Sequence, residues 1–160
     1  FLRHLGRDAG QLRRSWYMGF FQLPGLPERA IRRTDLVARL WRRWSPGLEP
    51  PPGHLDEVVD TVRRSLPGPI AYYRGMTRPL AEASARVRDA RNERIEVPTF
   101  YLHGADDGCV TPEAAAGQGR FFAGPFEAEV VEGAGHFLPL ERPEAVARAV
   151  RALTTAEPYR

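Results

Sequence analysis

The sequence predicts an α/β protein, with a helical first part and a second part that contributes strands to a parallel β-sheet. Three observations support this prediction: helical spacing of apolar residues before residue 94, a strand–helix–strand–helix order after it, and a change of charge between the two parts. Residues 1–94 carry 18 Arg against 10 acidic residues, whereas residues 95–160 carry 5 Arg against 10. We therefore divide the chain into two structural units at this point.

The composition is that of a globular protein and excludes several other classes. The chain has 160 residues, enough for one ordinary domain, of which 42% are apolar and 27% charged. No run approaches the ~18 apolar residues of a membrane span, and the single Cys109 excludes a disulfide scaffold or a Cys-rich metal site. The Arg pairs of the first unit are interleaved with acidic residues, so we expect solvated helix faces and no nucleic-acid partner. No secretory signal opens the sequence, and we expect a cytoplasmic protein.

The first unit is expected to consist of helices separated by loops rich in Pro and Gly. Two stretches place apolar residues at i, i+3, i+4 and i+7, the spacing of one helix face. These residues are Val37, Leu40, Trp41 and Trp44 in the first stretch, and Leu55, Val58, Val59 and Val62 in the second. A Pro-rich loop at residues 45–53 separates them, and a short helix is expected at residues 69–75. Residues 80–94 have no clear pattern.

The second unit follows the alternating order of a parallel sheet. Residues 97–103 form a nearly continuous apolar run, typical of a strand that is buried on both faces, and residues 126–131 predict a second strand. Helices are expected at residues 113–122 and 140–153. Because two strands do not make a stable sheet alone, we expect the chain to be part of a larger fold.

Polar residues with catalytic potential follow both predicted strands. Asp106 and Asp107 come directly after the first strand, and His136 follows the second in a loop with Gly133 and Gly135. Groups at the carboxyl ends of parallel strands lie at one edge of the sheet, where a carboxylate can orient a histidine for acid–base chemistry. Taken singly, each of these segments is better explained as an ordinary turn or a polar loop residue, but their order and position together favour catalysis.

These segments resemble those of a known family. Residues 104–107 (Gly-Ala-Asp-Asp) and 133–137 (Gly-Ala-Gly-His-Phe) are similar to the acid and histidine segments of α/β-hydrolases. Residues 15–25, with Trp-Tyr followed by Phe-Gln-Leu-Pro, resemble the opening of the helical cap in the epoxide hydrolase and haloalkane dehalogenase branch. Residues 71–76 resemble a later cap segment. The resemblance implies a partial α/β-hydrolase: a helical cap, or lid, at residues 1–94, then the C-terminal part of the core at residues 95–160.

The resemblance also implies roles for individual residues. The family's acid is the fourth residue of Gly-x-x-Asp, which is Asp107 here, with Asp106 as its neighbour. Epoxide hydrolases hold the epoxide oxygen with two cap tyrosines, which correspond to Tyr17 and Tyr73, with Tyr72 as the alternative to the latter. A phenol stabilises the alkoxide charge that develops as an epoxide opens.

The implied activity is that of an epoxide hydrolase, in which His136 activates water against a covalent alkyl-enzyme ester. The nucleophile and the oxyanion hole are expected upstream of Phe1, so this chain alone would be inactive. The alternatives are a haloalkane or haloacetate dehalogenase, a Ser-type esterase, and, from another class, a truncated non-catalytic fragment. The expected substrate is a small apolar epoxide, halide or ester. No Gly-rich phosphate loop and no metal-ligand spacing occur, so we expect neither a cofactor nor a metal.

Overall fold

The computed structural model describes residues 9–77 and 94–155. The first part is helical, as the sequence predicts. Among the described residues its helices are α1 (Ala9–Arg14), α2 (Trp16–Phe20), α3 (Leu26–Arg33), α4 (Leu36–Trp44), α5 (His54–Arg64) and α6 (Gly68–Thr77). Helices α4 and α5 confirm the two amphipathic stretches, and α6 confirms the short helix expected at residues 69–75. None of the described helices has the length and apolar character needed to cross a membrane.

Local sequence signals explain where these helices begin and end. Helices α3 and α5 each follow a glycine with a left-handed backbone, Gly25 at φ 72° and Gly53 at φ 80°. Such a backbone favours glycine, because L side chains rarely adopt it. Helix α5 has acidic residues in its first turn and arginines in its last, which complements the helix dipole.

The helices of the first part enclose a core that also receives a residue of the second part. The buried residues of this core are Tyr17, Phe21, Ile31, Leu36, Leu40, Ile70 and Cys109. Cys109 belongs to the loop after the first strand, so this loop is inserted among the helices of the first part. This core therefore extends from the first part into the second, and the loop that carries Asp107 is fixed by it.

The second part contains a parallel pair of strands, which confirms the predicted sheet. Strand β1 (Thr99–Gly104) lies beside β2 (Phe126–Val131), with Thr99 opposite Phe126 and Gly104 opposite Val131. In this register both strands end at the same level. The loops that carry Asp107 and His136 therefore leave the sheet side by side.

Three predictions in the second part need correction. The helix expected at residues 113–122 is two 3₁₀ helices, Pro112–Ala115 and Gln118–Phe121, separated where Gly117 takes a left-handed φ of 71°. The helix expected at residues 140–153 is two helices, α7 (Leu138–Glu141) and α8 (Pro143–Thr155), because Pro143 starts a new helix. Strand β1 begins at Thr99, and its first four residues are only half-buried, since β2 is its one strand partner within the described residues.

Residues 78–93 are outside the described part of the chain, and they include most of residues 80–94, the stretch without a clear pattern. The boundary proposed at residue 94 lies directly beside them. The division into a cap at residues 1–94 and a core segment at residues 95–160 stays a prediction.

Candidate active site

The loop after β1 holds the Asp107 carboxylate in a buried position. The Asp107 side chain is 6% exposed, and its Oδ1 accepts hydrogen bonds from the backbone N–H groups of Cys109 at 2.6 Å and Val110 at 3.0 Å. Asp106 is exposed. Of the two adjacent carboxylates, the one at the family's acid position is therefore the one that faces the interior.

The loop after β2 brings His136 to this carboxylate. The chain turns at Gly133, whose φ is 65°, and His136 Nδ1 lies 2.9 Å from Asp107 Oδ2. The imidazole is 34% exposed, so water can reach it. A Cβ atom on Gly104 would collide with the backbone of Ala134 and Gly135, which shows that the two loops are in direct backbone contact.

The surroundings of Asp107 favour its ionised form. Burial acts to raise its pKa, but hydrogen bonds from His136, Val110 and Cys109 outweigh burial, so the pKa lies below its usual value. An ionised Asp107 accepts the Nδ1 proton of His136, which leaves Nε2 available as a base. Since the pKa is lowered on folding, this carboxylate stabilises the fold at neutral pH, and that stabilisation is lost as the pH falls below the ordinary carboxylate range.

The structure also brings Tyr17 and Tyr73 together. Their ring centroids are 5.7 Å apart, with the rings nearly perpendicular. Tyr72 is 70% exposed and directs most of its surface to solvent. Burial raises the pKa of Tyr17 and of Tyr73, and the neighbouring Cys109 thiol contributes in both cases. Both phenols therefore stay protonated at neutral pH and can donate hydrogen bonds.

Trp44 connects the tyrosine pair with the acid–histidine pair. Its ring centroid lies 5.3 Å from that of His136 and 5.2 Å from that of Tyr17. Trp44 and Tyr73 also border an apolar cavity of about 200 Å³ inside the first part. The helical spacing of Trp44 predicts only a core residue of a helix. Its helical spacing gave no indication of this second contact surface.

His103, near the end of β1, has hydrogen-bond partners on both ring nitrogens. His103 Nδ1 lies 2.6 Å from the Tyr101 hydroxyl, and its Nε2 lies 3.0 Å from the Val110 carbonyl oxygen. These bonds match a structural histidine at the end of the strand.

The side chains of Asp107, Cys109 and His136 place possible ligand atoms within 4.8 Å of one another, so they could hold a metal ion. Burial raises the Cys109 pKa to about 11, and the thiol lies 3.3 Å from the Tyr17 hydroxyl.

A short motif near the start of the sequence has the residue pattern of a nucleophile segment. Residues 6–10 read Gly-Arg-Asp-Ala-Gly and match the pattern Gly-x-Asp-x-Gly. Asp8 lies outside the described residues, and the six-residue helix α1 that starts at Ala9 leads directly into α2 with its Tyr17. An elbow of this kind stands on a sharp turn between a sheet strand and a helix. The expectation that the nucleophile lies upstream of Phe1 stays a prediction.

Two parallel strand ends that carry a carboxylate and a histidine, covered by helices, define a hydrolase-type α/β protein. The chain belongs to the alpha/beta hydrolase family, whose sequence model matches residues 4–149. This confirms the resemblance drawn from the acid and histidine segments, and with it the partial α/β-hydrolase fold.

The curated relatives are epoxide hydrolases. Epoxide hydrolase 3 of Mus musculus is 32% identical over 145 residues, which cover 84% of this chain and 36% of the mouse protein. Epoxide hydrolase 1 of Caenorhabditis elegans is 26% identical and covers 91% of this chain and 36% of its own length. Epoxide hydrolase A of Mycobacterium tuberculosis is 26% identical over 84% of this chain and 50% of its own length. The chain thus spans a third to a half of the relatives that it matches.

Solved structures agree on the fold. A candidate epoxide hydrolase of Klebsiella pneumoniae superposes with a TM-score of 0.66 at 24% identity, covering 89% of this chain and 50% of that structure. Cfl2 of Burkholderia cenocepacia superposes with a TM-score of 0.69 at 23% identity, covering 91% and 49%. Both comparisons match a partial fold.

Proposed function

We propose that the protein carrying this chain is an epoxide hydrolase and that Asp107, His136, Tyr17 and Tyr73 form its catalytic set. The observation that supports this most strongly is the 2.9 Å contact between His136 Nδ1 and Asp107 Oδ2 beside a buried pair of phenols. The relatives' names agree with this chemistry. The substrate is a small apolar epoxide, and residues 1–94 act as its lid.

The reaction divides into two steps. In the first, a carboxylate oxygen of the upstream nucleophile bonds to an epoxide carbon, and the carbon–oxygen bond of the ring breaks. Negative charge develops on the ring oxygen, to which Tyr17 and Tyr73 donate hydrogen bonds before it takes up a proton. The product of this step is an alkyl-enzyme ester.

In the second step His136 activates water. Its Nε2 accepts a proton from a water molecule as the water oxygen attacks the ester carbonyl carbon. Asp107 supports the imidazolium that forms, because its lowered pKa keeps it ionised beside Nδ1. When the ester bond breaks, the departing diol oxygen takes the proton from Nε2, and the nucleophile's carboxyl group gives up the proton that balances the one taken up by the ring oxygen in the first step.

The His136→Gln variant of the complete protein tests this assignment. We expect it to form the ester without hydrolysing it, since the first step needs no base. Intact-protein mass spectrometry after incubation with styrene oxide should show one added substrate mass, which the wild type does not accumulate. A His136→Gln enzyme with wild-type turnover contradicts the assignment, and release of halide from a chloroalkane without epoxide hydration favours the dehalogenase alternative.

A further inference from the structure

We propose that Glu141 is a positioning residue for His136 and that Ser45 extends its action to helix α4; this rests on the proposed function of His136. Glu141 closes the short helix α7, and Ser45 directly follows α4. We call these two side chains and their bonds the Glu141 link. It joins the loop at residues 135–137 to the first part of the chain.

The Glu141 carboxylate binds the backbone on both sides of His136. Its Oε2 accepts a hydrogen bond from the Gly135 N–H at 2.8 Å, and its Oε1 accepts one from the Phe137 N–H at 3.1 Å. The N–H of His136 itself donates to the carbonyl oxygen of Trp44 at 3.1 Å. Three consecutive amides are thus held by a carboxylate and by the end of α4.

The Ser45 hydroxyl completes the link. It donates to Glu141 Oε1 at 2.6 Å, and its oxygen accepts the Phe137 N–H at 3.1 Å. The Ser45 residue is buried, and a Cβ atom on Gly135 would lie 2.7 Å from the Ser45 Cα. The histidine loop therefore has no room to move toward α4, and the carboxylate holds it from moving away.

The end of α4 also contacts the acid loop. The Gly108 N–H donates to the Trp44 carbonyl oxygen at 3.0 Å, the same atom that accepts the His136 N–H. The Trp44 carbonyl oxygen therefore anchors both loops, and the distance between Asp107 and His136 depends on the hydrogen bonds that hold each loop against it. Hydrogen bonds to a carboxylate are stronger than those to neutral groups, and loss of Glu141 removes the acceptor of the buried Gly135 N–H.

In the complete protein, Glu141→Ala should slow hydrolysis of the ester by about 100-fold, because a shift of about 1 Å in a catalytic group costs this much. Formation of the ester should stay within about threefold of wild type, since His136 does not act in that step. Rapid-quench measurements of ester formation and decay separate the two rates. Glu141→Gln should recover most of the hydrolysis rate, because its amide oxygen can accept from Gly135 while its NH₂ group donates to Ser45.

Glu144→Ala is the matched control. Glu144 is exposed in the first turn of α8, three residues from Glu141, and both of its rates should equal those of wild type. A Glu141→Ala enzyme that slows both steps equally, or neither, overturns the proposal. If Glu141→Ala does not fold, Ser45→Ala decides: a wild-type ratio of the two rates in this variant overturns it as well.

A second measurement does not depend on the substrate. NMR of the ¹⁵N-histidine-labelled protein should show a downfield Nδ1 proton for His136 in the wild type and in Glu144→Ala, and its loss or upfield shift in Glu141→Ala. An unchanged signal in Glu141→Ala contradicts the positioning role. If the complete protein hydrates no epoxide, the proposed function fails, while this signal still decides the role of Glu141.

Discussion

Two pairs of side chains define the candidate site at the scale of single residues. In the first pair, the buried Asp107 carboxylate contacts the imidazole of His136 at Nδ1, which leaves Nε2 available as the base. In the second, Tyr17 and Tyr73 are kept as neutral phenols, since burial raises the pKa of each. The first pair suits proton removal from water, and the second suits hydrogen bonding to a developing alkoxide.

The tyrosine pair can be tested residue by residue. In the complete protein, Tyr17→Phe and Tyr73→Phe should each lower the rate of ester formation by about 100-fold, the usual cost of removing one donor to a developing oxyanion. Decay of the ester should change little. The rates of the two half-reactions, measured by rapid quench, check this expectation.

Tyr72→Phe provides the matched control, because Tyr72 adjoins Tyr73 in sequence but is exposed. It should keep the wild-type rate. Loss of ester formation in Tyr72→Phe with retention in Tyr73→Phe would exchange the roles of these two tyrosines.

At the scale of elements, the position of the site depends on how α4 meets the two loops at the strand ends. Strands β1 and β2 end together, and the carbonyl oxygen of Trp44, at the end of α4, accepts N–H groups from both loops. Gly108 permits this approach, since a Cβ atom there would collide with the Arg43 carbonyl group. Backbone packing, in addition to side-chain contacts, therefore sets the distance between acid and base.

The Gly108→Ala variant tests this packing. It should destabilise the complete protein by about 1–3 kcal/mol or more, the usual cost of overpacking, since backbone atoms must shift. Gly19→Ala is the control: Gly19 lies in helix α2 with open space around its Cα, and alanine should stabilise the helix by about 0.5–1 kcal/mol. Urea unfolding of both variants gives the two changes in free energy. Equal stability of Gly108→Ala and wild type would contradict the close approach.

At the scale of the whole molecule, the described part of the chain is an incomplete sheet packed beside a helical unit. Strand β1 has β2 as its strand partner among the described residues. Val97, two residues before β1, and Val130, within β2, are exposed. The family match and the 36–50% coverage of the curated relatives explain this, because the remaining strands belong to a longer fold. Exposed apolar surface next to an unpaired strand edge favours association.

The 160-residue chain and the complete protein should accordingly unfold differently. We expect the chain alone to give a broad transition with low enthalpy in differential scanning calorimetry and no epoxide hydration, and the complete protein to give a sharp transition. A sharp two-state transition of the chain alone, with hydrolysis retained, would contradict the expectation that residues upstream of Phe1 supply the nucleophile.

Features that depend on local rules could be predicted from the order of the amino acids. The period of the apolar residues predicted α4 and α5, residues 126–131 predicted β2 at its observed bounds, and the order of the elements placed Asp107 and His136 at neighbouring strand ends. The local rules failed where a single residue overrides a pattern, as at Gly117 and Pro143, which divide the two expected helices.

The contacts that support the site are long-range and can be seen only in the three-dimensional structure. Trp44 lies between the tyrosines and His136, and Ser45 reaches Glu141 across 96 positions of the chain. Contacts at such separation leave no periodic signal, because each residue already satisfies a local pattern: Trp44 a helix face, Glu141 a helix end. The burial that supports Asp107 over Asp106, in agreement with the motif, likewise depends on the packing of the loop into a core formed by distant helices.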